Sequence, residues 1–365
     1  MKTGRAAVMT KTLGDLEIHN YPIPEPEKGA IVVRITCCTI CGSDVLAWMG
    51  RKKSHIPMIL GHEIVGKIVE LGEGVTCDSG NRPLKIGDRI TWTIMSSCGK
   101  CYYCREKGLM MKCRELKKYG HDSCDAAPHF NGGFAEYCYI TPGTCVIRIP
   151  DELPDEVATP ANCALATVVA GWEAIELKAF ENVLIQGAGA LGFYAAALAH
   201  HYGCRRIIVT DILDHRLEAI KAFGVTDTIN TRNMKDDEIA QAVRDLTDGF
   251  GVDAAMEAAG APAVIPAGLK SLRIGGRYVE HGCTFPGANV TYDFSDIVFR
   301  YLTIKGVHNY DTRHLQWAID FLAQTRGVYP FEKMVTHTFP LDQINAAMKL
   351  AQSGQAIRVA VAPQS

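Results

Sequence analysis

Fourteen cysteines stand in this 365-residue chain, and their spacing sorts them by chemistry. Cys98, Cys101 and Cys104 follow one another at intervals of three, and Cys113 comes shortly after. Four thiolates in so short a segment match the tetrahedral, all-sulfur set that zinc takes in a closed structural site. Such an ion would pin a lobe, about residues 96–115, that has too few apolar residues to order itself. Free buried cysteines and a redox Cys-x-x-Cys are the alternatives. The third and fourth cysteines argue against the redox one.

Cys41 opens the run Cys41-Gly42-Ser43-Asp44, and His62 stands in Gly61-His62-Glu63. A cysteine and a histidine are two of the three protein ligands that a catalytic zinc takes, with its fourth position left open for chemistry. His62 alone also fits a core histidine with its hydrogen bonds satisfied. A third ligand has to come from elsewhere in the chain.

Gly187-Ala188-Gly189-Ala190-Leu191-Gly192 is a G-x-G-x-x-G placed after an apolar run and at the start of a helical one. Gly187 permits a tight turn, Gly189 lets a pyrophosphate approach the backbone, and Gly192 lets the helix pack closely on a sheet. The helix start offers free N–H groups and a positive dipole end. A plain strand-to-helix turn uses glycines too. Asp211, at the end of the next strand, has the spacing of a carboxylate that binds a ribose 2′-hydroxyl. It also fits the cap of the following helix. A carboxylate there repels a 2′-phosphate, which favours NAD over NADP, although Arg216 stands within the same stretch.

The elements that must position these residues differ along the chain. Runs 5–10, 16–21, 30–37, 63–71 and 86–94 are short and extended, broken by Gly14 and Pro22, Pro24 and Pro26, and read as a small barrel-like β unit. From residue 183 strands and helices alternate: strands at 183–186, 206–210, 252–257 and 277–281, helices at 190–202, 214–223, 237–246 and 263–272. That alternation predicts parallel β-α-β units. Two more helices, 313–323 and 341–351, and a strand at 357–362 close the chain.

Composition narrows the function. The chain is 47% hydrophobic and 21% charged, with a formal net charge of −2. That balance suits a packed globular enzyme and offers no basic surface for nucleic acid or an anionic membrane. The apolar run at 190–199 is shorter than the ~20 residues of a membrane span, and residues 1–10 do not form a secretory leader. A cytoplasmic protein is expected.

Taken in order, Cys-Gly-Ser-Asp, Gly-His-Glu, the four-cysteine lobe and G-x-G-x-x-G resemble the zinc-containing medium-chain dehydrogenase/reductase family over nearly the whole chain. The resemblance implies an α/β fold: a GroES-like β-barrel catalytic domain, residues 1–160 and 306–365, and a Rossmann doubly wound parallel-sheet domain, residues 161–305. It implies that Cys163, in Pro160-Ala161-Asn162-Cys163, joins Cys41 and His62 on a catalytic zinc. Cys98, Cys101, Cys104 and Cys113 would hold a second, structural zinc. Ser43 matches the hydroxyl that relays the alcohol proton, Asp44 the carboxylate that orients the histidine ligand, and Glu63 the carboxylate that can approach the metal. Thr167 matches a residue packing on the nicotinamide. Gly187, Gly189, Leu191 and Gly192 match the dinucleotide turn, with Asp211 and Arg216 as adenosine-ribose contacts. The implied reaction is hydride transfer between an alcohol and NAD, with a small alcohol or carbonyl compound as substrate.

Two positions depart from the family pattern. Leu46 stands where many relatives carry a histidine that passes the proton to solvent, with His55 as a possible substitute. The interval from Cys104 to Cys113 is one residue longer than expected. Pro160-Ala161-Asn162-Cys163, Gly306-Val307-His308-Asn309-Tyr310 and Lys118-Tyr119-Gly120-His121 resemble phosphonate-linked and hydroxycamphor-type alcohol dehydrogenases. A hydroxyalkylphosphonate, which Arg51, Lys52 and Lys53 could bind, and a bulky apolar secondary alcohol or polyol are the competing substrates. Trp48, His55, Thr93 and His308 are pocket candidates by position. A non-catalytic NAD-binding regulatory protein is the reading from a different class. The resemblance also implies a homodimer or homotetramer, paired through the strand near 302–307.

Overall fold

The computed structural model describes residues 2–363. They form two compact units. The first comprises the chain up to Cys163, Asp311–Arg326 and the chain from Phe331 onward; the second comprises Ala164–Tyr310 and Gly327–Pro330. The changes of unit at 163/164 and 310/311 come a few residues later than the expected 160/161 and 305/306, and four residues near 330 belong to the second unit.

The first unit is a GroES-like barrel. Its main sheet runs Val335–Phe339, Arg358–Val361, Ile31–Thr39, Glu63–Leu71, Arg89–Ser96 and Lys117–Lys118. Tyr137–Ile140 pairs with Ile31–Thr39, and Thr144–Arg148 pairs with Arg89–Ser96, so the sheet branches and curls. A smaller sheet joins Glu17–Pro22, Thr3–Met9 and Met58–Ile59. In Ile31–Thr39 the two ends are buried on both faces, and alternation is confined to the middle, where Val33 and Ile35 are buried and Arg34 is exposed. The strand expected at 86–94 begins later, at Arg89. Gly87 adopts φ +92° and the Asp88 carboxylate accepts the Lys85 N–H, so residues 85–88 form a turn and Ile86 is left exposed. The strands at 335–339, 137–140 and 144–148 were not expected from the sequence, since they are short and carry polar residues.

In the second unit all six strands are parallel, in the order Asp227–Asn230, Arg206–Asp211, Asn182–Gln186, Val252–Glu257, Leu272–Glu280, Thr303–Gly306. This is the doubly wound Rossmann arrangement. The strand order reverses beside Asn182–Gln186, and in such sheets ligands bind outside the carboxyl ends at that point. The central strands are continuously apolar because both faces are covered; Val183, Leu184, Ile185, Ile207, Ile208 and Val209 are fully buried. Among the described residues no helix is long and apolar enough to cross a membrane.

Phe130 shows what the barrel core contributes. It is fully buried and meets Tyr21 and Tyr137 edge-on, with ring centroids 6.1 and 6.0 Å away. Phe130→Ala should cost roughly 3–5 kcal/mol of stability, read from the urea unfolding midpoint and slope. A loss below about 1 kcal/mol would contradict a close-packed core at this position.

Candidate active site

The first site grows from the helix Gly42–Trp48. The Asp44 carboxylate lies at its start and is fully buried. It accepts the Cys41 N–H at 2.8 Å, the Gly61 N–H at 3.1 Å and the His62 Nδ1–H at 3.1 Å. One carboxylate thus ties two segments together and turns the other ring nitrogen of His62 outward. The Ser43 hydroxyl lies 3.3 Å from that Nε2. Asn162 brings in the third segment: its side-chain amide donates to the His62 carbonyl at 3.0 Å and the Trp92 carbonyl at 2.9 Å. Cys163 follows directly. The result is a group of Cys41, His62, Glu63 and Cys163 whose ligand atoms all lie within 4.8 Å of one another.

The electrostatics of this group suit a cation. A hydrogen bond with Cys163 and attraction to His62 hold the Cys41 thiol well below its usual pKa. The same hydrogen bond, with burial, pushes Cys163 well above. Burial opposes a charge on His62, but Asp44 and Cys41 together raise its pKa to about 10. Burial raises Glu63 to about 7, against the opposing pull of Arg358. Glu63 is fully enclosed, accepts the Thr39 hydroxyl at 2.5 Å and pairs with the Arg358 guanidinium at 3.1 Å. Two convergent thiols, Cys41 buried and Cys163 half-buried, and an oriented imidazole fit a tetrahedral zinc ion that keeps one position open.

Cys98, Cys101, Cys104 and Cys113 form a second group within the same limit. Cys113 and Cys98 have sulfurs 3.4 Å apart, Cys101 and Cys104 3.5 Å. Between Cys104 and Cys113 the backbone turns at Gly108, which adopts φ +62°. Backbone N–H groups of Arg114 and Cys104 draw Cys101 down to about 6, while burial pushes Cys104 to about 12.

In the second unit the glycine turn has the expected form. Gly187 adopts φ +108°, and a Cβ on Gly192 would lie 1.9 Å from the Gly187 carbonyl oxygen. Around Gly189, which caps the helix Ala190–His201, a Cβ would meet nothing within 4 Å, so a ligand can approach the backbone there. Leu191 sits on the first turn of that helix. Asp211 accepts from the Ala188 N–H at 2.7 Å through Oδ2, and from Ile212 and Leu213 N–H through Oδ1. It braces the glycine turn and the residues that lead into the next helix, which is capped at Leu213 and not at Asp211. Arg216 is half-buried on that helix, Asp214–Ile220, and Thr167 half-buried on Ala164–Ala174.

Several pocket expectations are corrected. The Trp48 indole donates to the Gly14 carbonyl at 2.7 Å and packs in the barrel core. The Thr93 hydroxyl donates to the Met95 carbonyl at 2.7 Å. Arg51, Lys53 and His55 are exposed, whereas Lys52 is half-buried. Leu46 lies on the Gly42–Trp48 helix and has no proton to pass. Arg358, Thr39 and Asn162 are parts of the site that the sequence reading missed. Arg358 had a signal, a charged residue in the apolar strand Arg358–Val361.

Glu257 and Glu280 were missed as well. They are register partners at the ends of adjacent strands, and Cys283 lies close enough to complete a third donor group. Glu257 instead clamps the following loops: its oxygens accept the Ala259, Gly260 and Gly282 N–H groups at 2.8, 2.6 and 2.8 Å. Burial, then the neighbouring Glu280, raise its pKa to about 8. The folded unit therefore holds a proton that the unfolded chain loses near pH 4–5. Its stabilising effect is complete below that range and fades as pH rises through about 8. Thermal melts from pH 5 to 9 should show a decline that Glu280→Gln flattens; parallel curves would refute the shared proton. For the metal site, Asp44→Asn should weaken zinc binding about 10–100-fold in a chelator competition, and wild-type affinity would refute the orienting role.

Comparison with known proteins agrees with this architecture. Residues 27–151 match the alcohol dehydrogenase GroES-like domain family, and residues 190–324 match the zinc-binding dehydrogenase family. The chain is 30% identical to the L-threonine 3-dehydrogenase of Legionella pneumophila strain Corby, over 97% of this chain and 98% of that one. It is also 30% identical to the 5-exo-hydroxycamphor dehydrogenase of Pseudomonas putida, over 98% of both. The crystal structure of an alcohol dehydrogenase from Thermotoga maritima superposes with a TM-score of 0.94 at 30% identity, covering 99% of this chain and 100% of that one. With a barrel that gathers two metal-ligand sets and a dinucleotide turn on a doubly wound sheet, the chain is an oxidoreductase that belongs to the zinc-binding, GroES-like alcohol dehydrogenase family.

Proposed function

We propose that this enzyme is a zinc-dependent, NAD-linked alcohol dehydrogenase that converts a primary or secondary alcohol to an aldehyde or ketone, reversibly. The observation that carries the reading is the convergence of Cys41, His62 and Cys163 on one point, with Glu63 beside them. Zinc held there supplies a Lewis acid that brings an alcohol pKa toward neutrality, and NAD supplies the hydride acceptor. Asp44 keeps His62 in the tautomer that presents Nε2. Ser43, beside that nitrogen, takes the alcohol proton. Leu46 cannot relay it, which leaves the cofactor ribose and water to carry it out. Glu63 is the carboxylate that can approach the metal, its charge balanced by Arg358. The four-cysteine lobe holds a second zinc, as its closed sulfur set suits.

Asp211 supports NAD over NADP, because a carboxylate beside the glycine turn repels a 2′-phosphate. Gly187, Gly189, Leu191 and Gly192 receive the pyrophosphate, Asp211 and Arg216 the adenosine ribose, and Thr167 packs on the nicotinamide. A homodimer or homotetramer is supported by the last strand of the sheet, Thr303–Gly306, whose residues are all exposed beside exposed Val298, Phe299 and Tyr301. Fourteen unpaired cysteines support a reducing, cytoplasmic setting. For the substrate, half-buried Lys52 favours a hydroxyalkylphosphonate. The hydroxycamphor relative favours the second reading, a bulky apolar secondary alcohol.

Cys163→Ser and His62→Ala should each abolish NADH formation across an alcohol panel, while elemental analysis finds the lobe zinc retained and the other lost. Near-normal turnover in either variant, with its metal content verified, would overturn the assignment.

A further inference from the structure

The strands Arg206–Asp211 and Asp227–Asn230 end side by side, with Asp211 and Asn230 as register partners. The residues that follow are tied together by short bonds. The Thr231 N–H donates to the Asp211 carbonyl at 3.0 Å. The Asn230 side chain accepts the Arg232 N–H at 3.0 Å and donates to the Asp214 carboxylate. Arg232 then reaches from the end of one strand to the end of the other: its Nε and Nη2 both donate to the Ile212 carbonyl, at 3.1 and 2.8 Å. Two donors on one oxygen hold the guanidinium on the residue next to Asp211.

A carbonyl fixes an arginine without cancelling its charge. Among the described residues no carboxylate pairs with the Arg232 guanidinium; its side-chain donors go to Ile212 alone. The guanidinium fork carries five N–H donors, so part of it is open to a ligand. Arg232 is exposed, as is Ile212 beside it. Asp211 is engaged on both oxygens, by the Ala188 N–H at 2.7 Å and by the Ile212 and Leu213 N–H groups at 2.7 and 2.9 Å. Those three backbone dipoles draw on its negative charge. A ribose bound at a glycine turn of this kind places its 2′-oxygen at the carboxylate that ends the second strand. In NADP that oxygen carries a phosphate. A carboxylate alone repels it, whereas an arginine tethered one residue away offers the planar, permanently charged, multi-donor partner that phosphate binds best.

We propose that Arg232 receives the 2′-phosphate of NADP, so that the enzyme takes NADP(H) as well as NAD(H). Asp211 favours the free 2′-hydroxyl, and Arg232 offsets the repulsion that the phosphate meets there. The proposal rests on the dinucleotide reading above, and binding alone tests it.

NADH and NADPH are titrated into zinc-loaded wild type, Arg232→Met, Arg232→Lys and Asp211→Asn, with binding read from nicotinamide fluorescence. Initial rates with NAD and NADP are taken over an alcohol panel. Repulsion from an unassisted carboxylate would hold NADPH on the order of a hundredfold or more weaker than NADH. The wild-type gap should be smaller than that. Arg232→Met should widen it about tenfold or more, the loss expected for one charge-assisted pair. Arg232→Lys, which keeps the charge, should widen it less, and Asp211→Asn should narrow it. A wild-type gap beyond about a hundredfold, or the same gap in Arg232→Met as in wild type, would overturn the proposal. If neither dinucleotide binds, the proposal falls together with the cofactor reading. Binding of both, with no alcohol-dependent reduction of either, would overturn the dehydrogenase reading and leave the phosphate site standing.

Discussion

The metal-ligand arrangement depends on the buried Asp44 carboxylate. A charge removed from water must be paired or fully hydrogen-bonded. Asp44 meets that demand by taking the Cys41 N–H, the Gly61 N–H and the His62 Nδ1–H at once. The same three bonds place a cysteine and a histidine from separate segments around one point. The geometry needed for chemistry is therefore also what makes the buried charge tolerable. Asn162 extends this logic to Cys163 by spanning the His62 and Trp92 carbonyls.

Charge around that point is balanced in layers. Arg358 faces Glu63, so the carboxylate closest to the ligand set does not add an uncompensated charge. Zinc with two thiolates and an imidazole is itself neutral. In the second unit a carboxylate plays a similar bracing part: the Glu257 oxygens accept the Gly260 and Gly282 N–H groups and so tie two loops together at the carboxyl ends of the strands.

Much of this was legible from residue order. The four-cysteine set has its members at short, fixed spacings, and the glycine turn and Asp211 obey local backbone rules, so short-range patterns pointed to them, whereas Cys163 joined Cys41 and His62 only through the family resemblance. The doubly wound sheet was legible because alternating apolar strands and helices leave few other solutions. The strand start at Arg89 was missed because the apolar Ile86 disguised the Gly87 turn. The strands at 137–140 and 144–148 escaped because their pattern is too short and mixed to stand out.

By itself, then, the sequence determined the chemical inventory of this protein: which residues can take zinc, where a dinucleotide can approach, and which fold class supports both. Only the tertiary structure decided how the inventory is used. Asn162 reaches His62 across 100 residues, and Arg358 reaches Ile40 across 318. Trp48 and Thr93 turn out to be engaged inside the barrel. The turn Lys118–Asp122 presses on Gly61 and His62 because Gly120 carries no Cβ. Contacts of that range leave no periodic trace, since they are set by how the barrel closes.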